Sequence, residues 1–274
     1  MTVRDIELND GTAIPQLGFG VFQVDPEVTQ KTVETALEIG YRHIDTATAY
    51  GNEAEVGAAL KATGLAGEVY VTTKLWNADQ GFDSTLQAFD ASMDRLGLDV
   101  LDLYLIHWPL PEHDRFVDTY RAFAQVKEEG RVRSIGVSNF RVPDLQRLEE
   151  AGLPTPAVNQ IELHPYLTQA ELTSYGREHG IVTEAWSPLA QGKVLDDEVI
   201  ASIARTHDAD PGQVVLAWQL AQGHVVFPKS VTPERIASNF ASTQISLTDE
   251  EIGRISALNR DERIGPDPAD FHVT

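Results

Sequence analysis

Four residues of this chain could together carry out one reaction: Asp45, Tyr50, Lys74 and His107. A free tyrosine has a pKa of about 10 and is a poor acid at neutral pH. A neighbouring ammonium stabilises the phenolate and is expected to bring that pKa down toward the working range. Lys74 can supply the ammonium. Asp45 can supply the anion that a lysine inside a protein needs, because an unpaired buried charge is costly. A neutral His107 can donate a hydrogen bond to a carbonyl oxygen and orient it. Tyr50 then protonates the alkoxide that forms as hydride arrives at carbon. Side chains do not deliver hydride, so the set implies a reduced nicotinamide.

Such a set is useful only if the fold brings it to one place. The chain alternates short apolar, β-rich runs with longer amphipathic stretches. Eight runs are expected as strands: Gln16–Phe22, His43–Ala47, Tyr70–Leu75, Leu101–His107, Val132–Ser138, Pro156–Glu162, Val182–Ser187 and Val225–Ser230. Helical spacing fills most of the gaps, at Glu27–Ile39, Asn52–Lys61, Ser84–Leu96, Phe116–Glu129, Pro143–Glu150, Gln169–Glu178 and Pro211–Ala221. Pro211 and Pro233 suit the first turn of a helix. Eight such repeats predict an α/β fold, a (β/α)8 TIM barrel, in which chemistry sits at the C-terminal ends of the strands. Asp45, Lys74 and His107 lie at three successive strand ends, and Tyr50 follows in the loop after Asp45. The later strands carry Ser138-Asn139, Gln160 and Glu162, Trp186-Ser187 and Lys229-Ser230. Before the barrel, 3–15 reads as a β-hairpin with an Asn-Asp-Gly turn that caps the barrel bottom. After it, Asp249–Leu258 reads as an extra helix and Asn259–Thr274 as a polar tail. An open dinucleotide-binding sheet is disfavoured: the nearest glycine-rich stretch, Gly18–Gln23, lacks a third glycine and no helix follows it directly.

The length of 274 residues suits one such barrel, which takes about 250, and one domain over 1–274 is expected. Lys and Arg total 21 against 42 Asp and Glu, a net charge of −21. That balance argues against nucleic acid and anionic membranes as partners. It also means that an anionic ligand must find a local positive pocket. There is no cysteine, so disulfides and thiolate chemistry are excluded. No apolar run approaches the roughly 18 residues of a membrane span, and the N-terminus lacks the apolar stretch of a signal peptide. A cytoplasmic location is the expectation that follows.

At GYRHIDTATAYGNEAEVG (40–57), LDLYLIHWP (101–109), IGVSNF (135–140), VNQIELHPY (158–166) and FPKSVTPERIASN (227–239) the sequence resembles the aldo-keto reductase family. Within it, NDGTAIPQLGFGVFQV (9–24), VTTKLW (71–76) and EAWSPLAQGK (184–193) look most like the prokaryotic 2,5-diketo-D-gluconate reductases. The resemblance implies NADPH-dependent reduction of aldehydes and ketones, keto-sugar acids and small dicarbonyls among them. It casts Tyr50 as the general acid, with Asp45, Lys74 and His107 completing a tetrad. Ser138, Asn139 and Gln160 would hydrogen-bond the nicotinamide carboxamide, and Trp186 would stack on the ring. Gly20, Val21, Ser187, Leu189, Gln191 and Gly192 would also line the cofactor. Lys229, Ser230, Val231, Arg235 and Asn239 would hold its far end, where an arginine can bind a 2′-phosphate bidentately. Relatives often have Glu where this chain has Ser238. Phe22, Trp76 and Trp108, with His107, would wall the substrate pocket. Relatives of this type look monomeric.

Other chemistry can be drawn from the same residues. Lys74 could serve as a Schiff-base nucleophile, but an aldolase leaves Lys229 and Arg235 unexplained. His43, Asp45, His107 and His164 are of metal-ligand type, but Lys74 beside Asp45 would compete with a cation, and no metal is expected. An NADPH-binding regulatory subunit without significant turnover is the alternative that keeps the fold; the presence of all four tetrad residues gives it no support.

Overall fold

Eight parallel strands curve into a barrel in the computed structural model, which describes residues 3–273. Met1, Thr2 and Thr274, the ends of the expected 1–274 domain, lie outside the described residues. A two-stranded antiparallel hairpin comes first, β1 (Asp5–Glu7) and β2 (Ala13–Pro15), with Ile6 opposite Ile14. Its turn is made by Asp10, whose carboxylate accepts from the Thr12 amide, and by Gly11 at a φ of 82°. Thr12 and Asp10 both hydrogen-bond Ser134, and Asn9 donates to the Pro156 carbonyl. Leu8 and Ile14 pack with Leu103, Leu105, Val158 and Val225. The hairpin therefore plugs the end of the barrel at which the strands begin.

The barrel strands are β3 (Phe19–Gly20), β4 (His43–Asp45), β5 (Tyr70–Leu75), β6 (Leu101–Ile106), β7 (Val132–Ser138), β8 (Val158–Glu162), β9 (Val182–Trp186) and β10 (Val225–Val226), paired in chain order. The first and last meet through Leu17 and Val226, where Gly18 N donates to the Val226 carbonyl at 2.9 Å. Gly18 is required there: a Cβ would lie 2.7 Å from the Phe227 ring. All eight expected strands are present. The first and last, β3 and β10, are two residues each and shorter than their apolar runs; β10 stops ahead of Pro228, which has no amide to donate to a ladder.

Ten helices surround the sheet among the described residues: α1 (Pro26–Ile39), α2 (Glu53–Thr63), α3 (Phe82–Leu96), α4 (Phe116–Glu128), α5 (Val142–Glu150), α6 (Ala170–Glu178), α7 (Glu198–Thr206), α8 (Pro211–Ala221), α9 (Pro233–Ala241) and α10 (Asp249–Ser256). Their ends carry ordinary local signals. Asp25 caps α1 ahead of Pro26, and Thr248 and Glu251 form a reciprocal capping box on α10. α7 is not among the helices expected from the sequence, although Asp197 caps it and Ile200, Ile203 and Ala204 are its buried face. The main apolar layer lies between sheet and helices, with Ile44, Phe89, Tyr104, Phe123 and Trp218 fully buried. No helix among the described residues is long and apolar enough to cross a membrane.

Candidate active site

The C-terminal mouth of the barrel gathers the four residues singled out first. Asp45 ends β4 and Lys74 is the fifth residue of β5, so neighbouring strands hold them side by side. Lys74 is fully buried, and its Nζ donates to both Asp45 carboxylate oxygens at 2.8 Å and to the Thr46 carbonyl at 2.9 Å. The same nitrogen lies 3.4 Å from the Tyr50 hydroxyl. Tyr50 comes from a short 3₁₀ turn, Thr48–Tyr50, that follows β4. His107, just past β6, is buried with its ring edge-on to Tyr50 at 5.7 Å and to Trp76 at 5.4 Å.

The charges follow from this packing. Burial alone would drive the proton off Lys74, but the charge of Asp45, and after it Tyr50, outweighs burial and raises its pKa. Lys74 is an ammonium. Burial, reinforced by the Lys74 charge, holds His107 well below its usual pKa, so its imidazole is neutral. At Tyr50 the structure departs from the expectation. Lys74 acts to lower the pKa as argued, but burial outweighs it and the net direction is upward. The phenol is therefore firmly protonated, and the ammonium acts on the phenolate that proton transfer would create.

The residues expected around a nicotinamide form one network with this set. Gln160 Nε2 donates at 2.9 Å to Asp45 Oδ1. Ser138 Oγ donates to the Gln160 carbonyl at 2.8 Å. Asn139 takes the left-handed conformation at a φ of 63°; its Nδ2 donates to the His107 carbonyl and its Oδ1 accepts from Trp186 Nε1, both at 2.9 Å. After β9 the backbone turns through positive φ at Ser187, Ala190, Gln191 and Gly192, leaving Leu189 half-buried and Gln191 exposed. Gly20 and Val21 are buried; Val21 N donates to the Asp45 carbonyl and the Val21 carbonyl accepts from Asn52, which leaves Val21 no free backbone group.

A second group occupies the connection from β10 to α9. Lys229 and Arg235 are exposed and make no ion pair among the described residues, in a chain with an excess of acid. Ser230 accepts from the Thr232 amide, Val231 is exposed, and Asn239 is half-buried on α9. Ser238 donates to Asp210, the N-cap of α8. Phe22 is exposed beside Tyr50, with ring centroids 5.0 Å apart, and Trp108 stacks under Phe271 at 4.1 Å. His43, offered above as a metal ligand, instead spends its ring nitrogens on the Pro15 carbonyl and Thr72. No cluster of three or more metal-ligating side chains occurs among the described residues.

The aldo/keto reductase family profile matches residues 16–260. The chain belongs to the aldo/keto reductase family. It is 55% identical over 271 residues to an aldo-keto reductase of Mycolicibacterium smegmatis, covering 98% of each chain. It is 49% identical to a methylglyoxal reductase of Yersinia pestis, covering 97% of this chain and 96% of that one. The crystal structure of a Gox0644 variant in complex with NADPH superposes with a TM-score of 0.96 at 43% identity, covering 100% of both chains.

The sequence gives no role to Glu162, which it places at a strand end, and none to Glu184, and it does not show how the C-terminal tail of this family member is held. Glu162, at the end of β8, is buried; its carboxylate accepts from His164 Nε2 at 3.0 Å and from the amides of Ile264 and Gly265. The C-terminal tail is thereby pinned against Trp186, so closely that a Cβ on Gly265 would lie 2.5 Å from its ring. Farther on, Phe271 covers Trp108, and Asn77 donates to the Val273 carbonyl at 2.7 Å, which carries the tail across the mouth. Glu184, on β9, lies fully buried beneath Gln160. The strand alternation that directs Trp186 inward also directs Glu184 inward, and that is the signal by which it could have been found.

Proposed function

We propose that the protein reduces small carbonyl compounds to alcohols with NADPH, and that Tyr50 delivers the proton. The protein is an NADP-dependent oxidoreductase. The observation that carries the reading is Lys74, sealed from water, paired with Asp45 and aimed at the Tyr50 hydroxyl. When bound, the cofactor supplies hydride to the carbonyl carbon.

The chain's own residues then have definite tasks. His107 is neutral, and its Nδ1 is buried without a partner among the described residues. An unmet acceptor is tolerated better than an unmet N–H, so the proton sits on Nε2, free to donate to the carbonyl oxygen. Tyr50 donates to the same oxygen and loses its proton as the alkoxide forms. Lys74 stabilises the phenolate, and Asp45 keeps Lys74 charged. Ser138, Asn139 and Gln160 orient the carboxamide, and Trp186, braced by Asn139, supports the ring. Lys229 and Arg235, without an ion pair among the described residues, fit a 2′-phosphate, the local positive site that a strongly acidic chain must provide. Phe22, Trp76 and Trp108 form apolar walls suited to a small, compact substrate. Reduction of α-dicarbonyls of the methylglyoxal type is favoured by the similarity to a methylglyoxal reductase, with keto-sugar acids as the second class.

The test follows NADPH absorbance, with NADH in parallel, against aldehydes, α-dicarbonyls and keto-sugar acids. Carbonyl-dependent loss of NADPH signal, cut at least about a hundredfold by Tyr50→Phe, is expected. Tight NADPH binding without turnover on any of these would make the protein a binding subunit instead.

A further inference from the structure

The barrel interior holds a second buried carboxyl that the reaction above does not use. Glu184 sits two residues before Trp186 on β9, opposite Gln160 of β8 in the parallel register. Gln160 Nε2 donates at 2.9 Å to Glu184 Oε2 and at 2.9 Å to Asp45 Oδ1. One amide group thus bridges two carboxyls. Only one of them has a counter-charge: Lys74 faces Asp45 with both carboxylate oxygens at 2.8 Å, whereas Glu184 forms no ion pair among the described residues. The other Glu184 oxygen, Oε1, is buried with no hydrogen-bond partner among the described residues.

These groups face Glu184 from every side that carries charge: Asp45 from β4, Lys74 and Tyr70 from β5, and the uncharged amide of Gln160 from β8. An ionised Glu184 would be a second, unpaired carboxylate sharing one amide with Asp45. Two carboxyls so arranged do not both ionise readily. Burial most of all, offset in part by the Gln160 hydrogen bond and reinforced by Asp45, holds Glu184 up at about 8.

We propose that Glu184 is a positioning residue, held as a neutral carboxylic acid beneath the Asp45–Lys74 pair, whose ionisation turns the reduction down. The proposal rests on Tyr50 as proton donor. When Glu184 releases its proton to solvent, the cluster gains one negative charge. That charge competes for the Gln160 amide and for the Lys74 ammonium, leaving less of the ammonium's field for a Tyr50 phenolate. Tyr50 becomes a weaker acid, and the rate falls on the alkaline side.

Glu184→Gln keeps the shape and removes the ionisation. The experiment records kcat at saturating NADPH and carbonyl from about pH 6 to about pH 10, each profile scaled to its own maximum. In the wild type an alkaline limb near the Glu184 value is expected; in the variant that limb moves up by about one unit or more. The same range is followed by pH-difference infrared spectroscopy, which needs no turnover. The wild type should show the carbonyl band of a protonated carboxylic acid that bleaches as pH rises, and Glu184→Gln should lack it. If the variant does not fold, carbonyl-13C labelling of glutamate in the wild type shows whether that band belongs to a glutamic acid. Identical limbs in the two proteins, or no protonated glutamic acid at neutral pH, overturn the proposal. A glutamic acid band present in a protein that consumes no NADPH would mean that the carbonyl-reduction reading has failed.

Discussion

Replacing Lys74 with methionine tests proton delivery at its centre. Methionine is unbranched and uncharged and can follow the course of the lysine stem. In the structure Lys74 Nζ is 3.4 Å from the Tyr50 hydroxyl oxygen, and nothing of Lys74 is exposed to solvent. At an effective dielectric of about 20, a unit positive charge at that distance attracts a full phenolate by about 5 kcal/mol. A transition state with about half of the proton transferred would forfeit about 2 to 3 kcal/mol, a loss of roughly 30- to 150-fold in rate. Asp45 meanwhile loses its counter-charge and must take up a proton or remain a costly buried anion, so thermal stability should also fall. The assay is a single-turnover reduction with NADPH already bound, read by absorbance, with NADPH affinity measured separately from its fluorescence. A rate within about threefold of wild type, at unchanged cofactor affinity, would refute the argument, because Tyr50 would then need no neighbouring ammonium.

Two further substitutions probe other parts of the site. Arg235→Ala removes an exposed cation from the β10–α9 connection, and losing one charge-assisted bond of about 1.5 to 3 kcal/mol should raise the KM for NADPH by roughly 10- to 150-fold. The KM for NADH should scarcely move; parallel increases for both cofactors would place Arg235 elsewhere than at a 2′-phosphate. Gly265→Ala puts a methyl group 2.5 Å from the Trp186 ring and 3.2 Å from the Glu162 carboxylate, so the tail must lift from its anchor. The tail carries Phe271 on Trp108, and the KM for the carbonyl substrate should rise about tenfold, equivalent to about 1.4 kcal/mol. Unchanged steady-state constants would mean that the tail takes no part in enclosing the substrate.

The barrel and its tetrad could be read from local sequence. Alternating apolar runs and amphipathic stretches are properties of neighbouring residues, and strand ends follow from where those runs stop, so Asp45, Lys74 and His107 could be placed at one mouth before any contact was known. The hairpin was equally local, set by Asp10 and Gly11. The tertiary structure decided the interactions between residues far apart in the chain. Glu162 meets Ile264 and Gly265 across 102 and 103 positions, and Gln160 meets Asp45 across 115. No periodicity encodes such pairs; they exist only after closure of the barrel sets opposite strands face to face. The Tyr50 titration shows the same division. Residue types alone gave the sign of the Lys74 effect, but the competing cost of burial depends on how much protein surrounds the phenol, and packing makes that term the larger. Glu184 is the fullest case: its inward direction follows from strand alternation, and its upward-shifted pKa from burial first and then from the charge of Asp45, both of which only the folded barrel supplies.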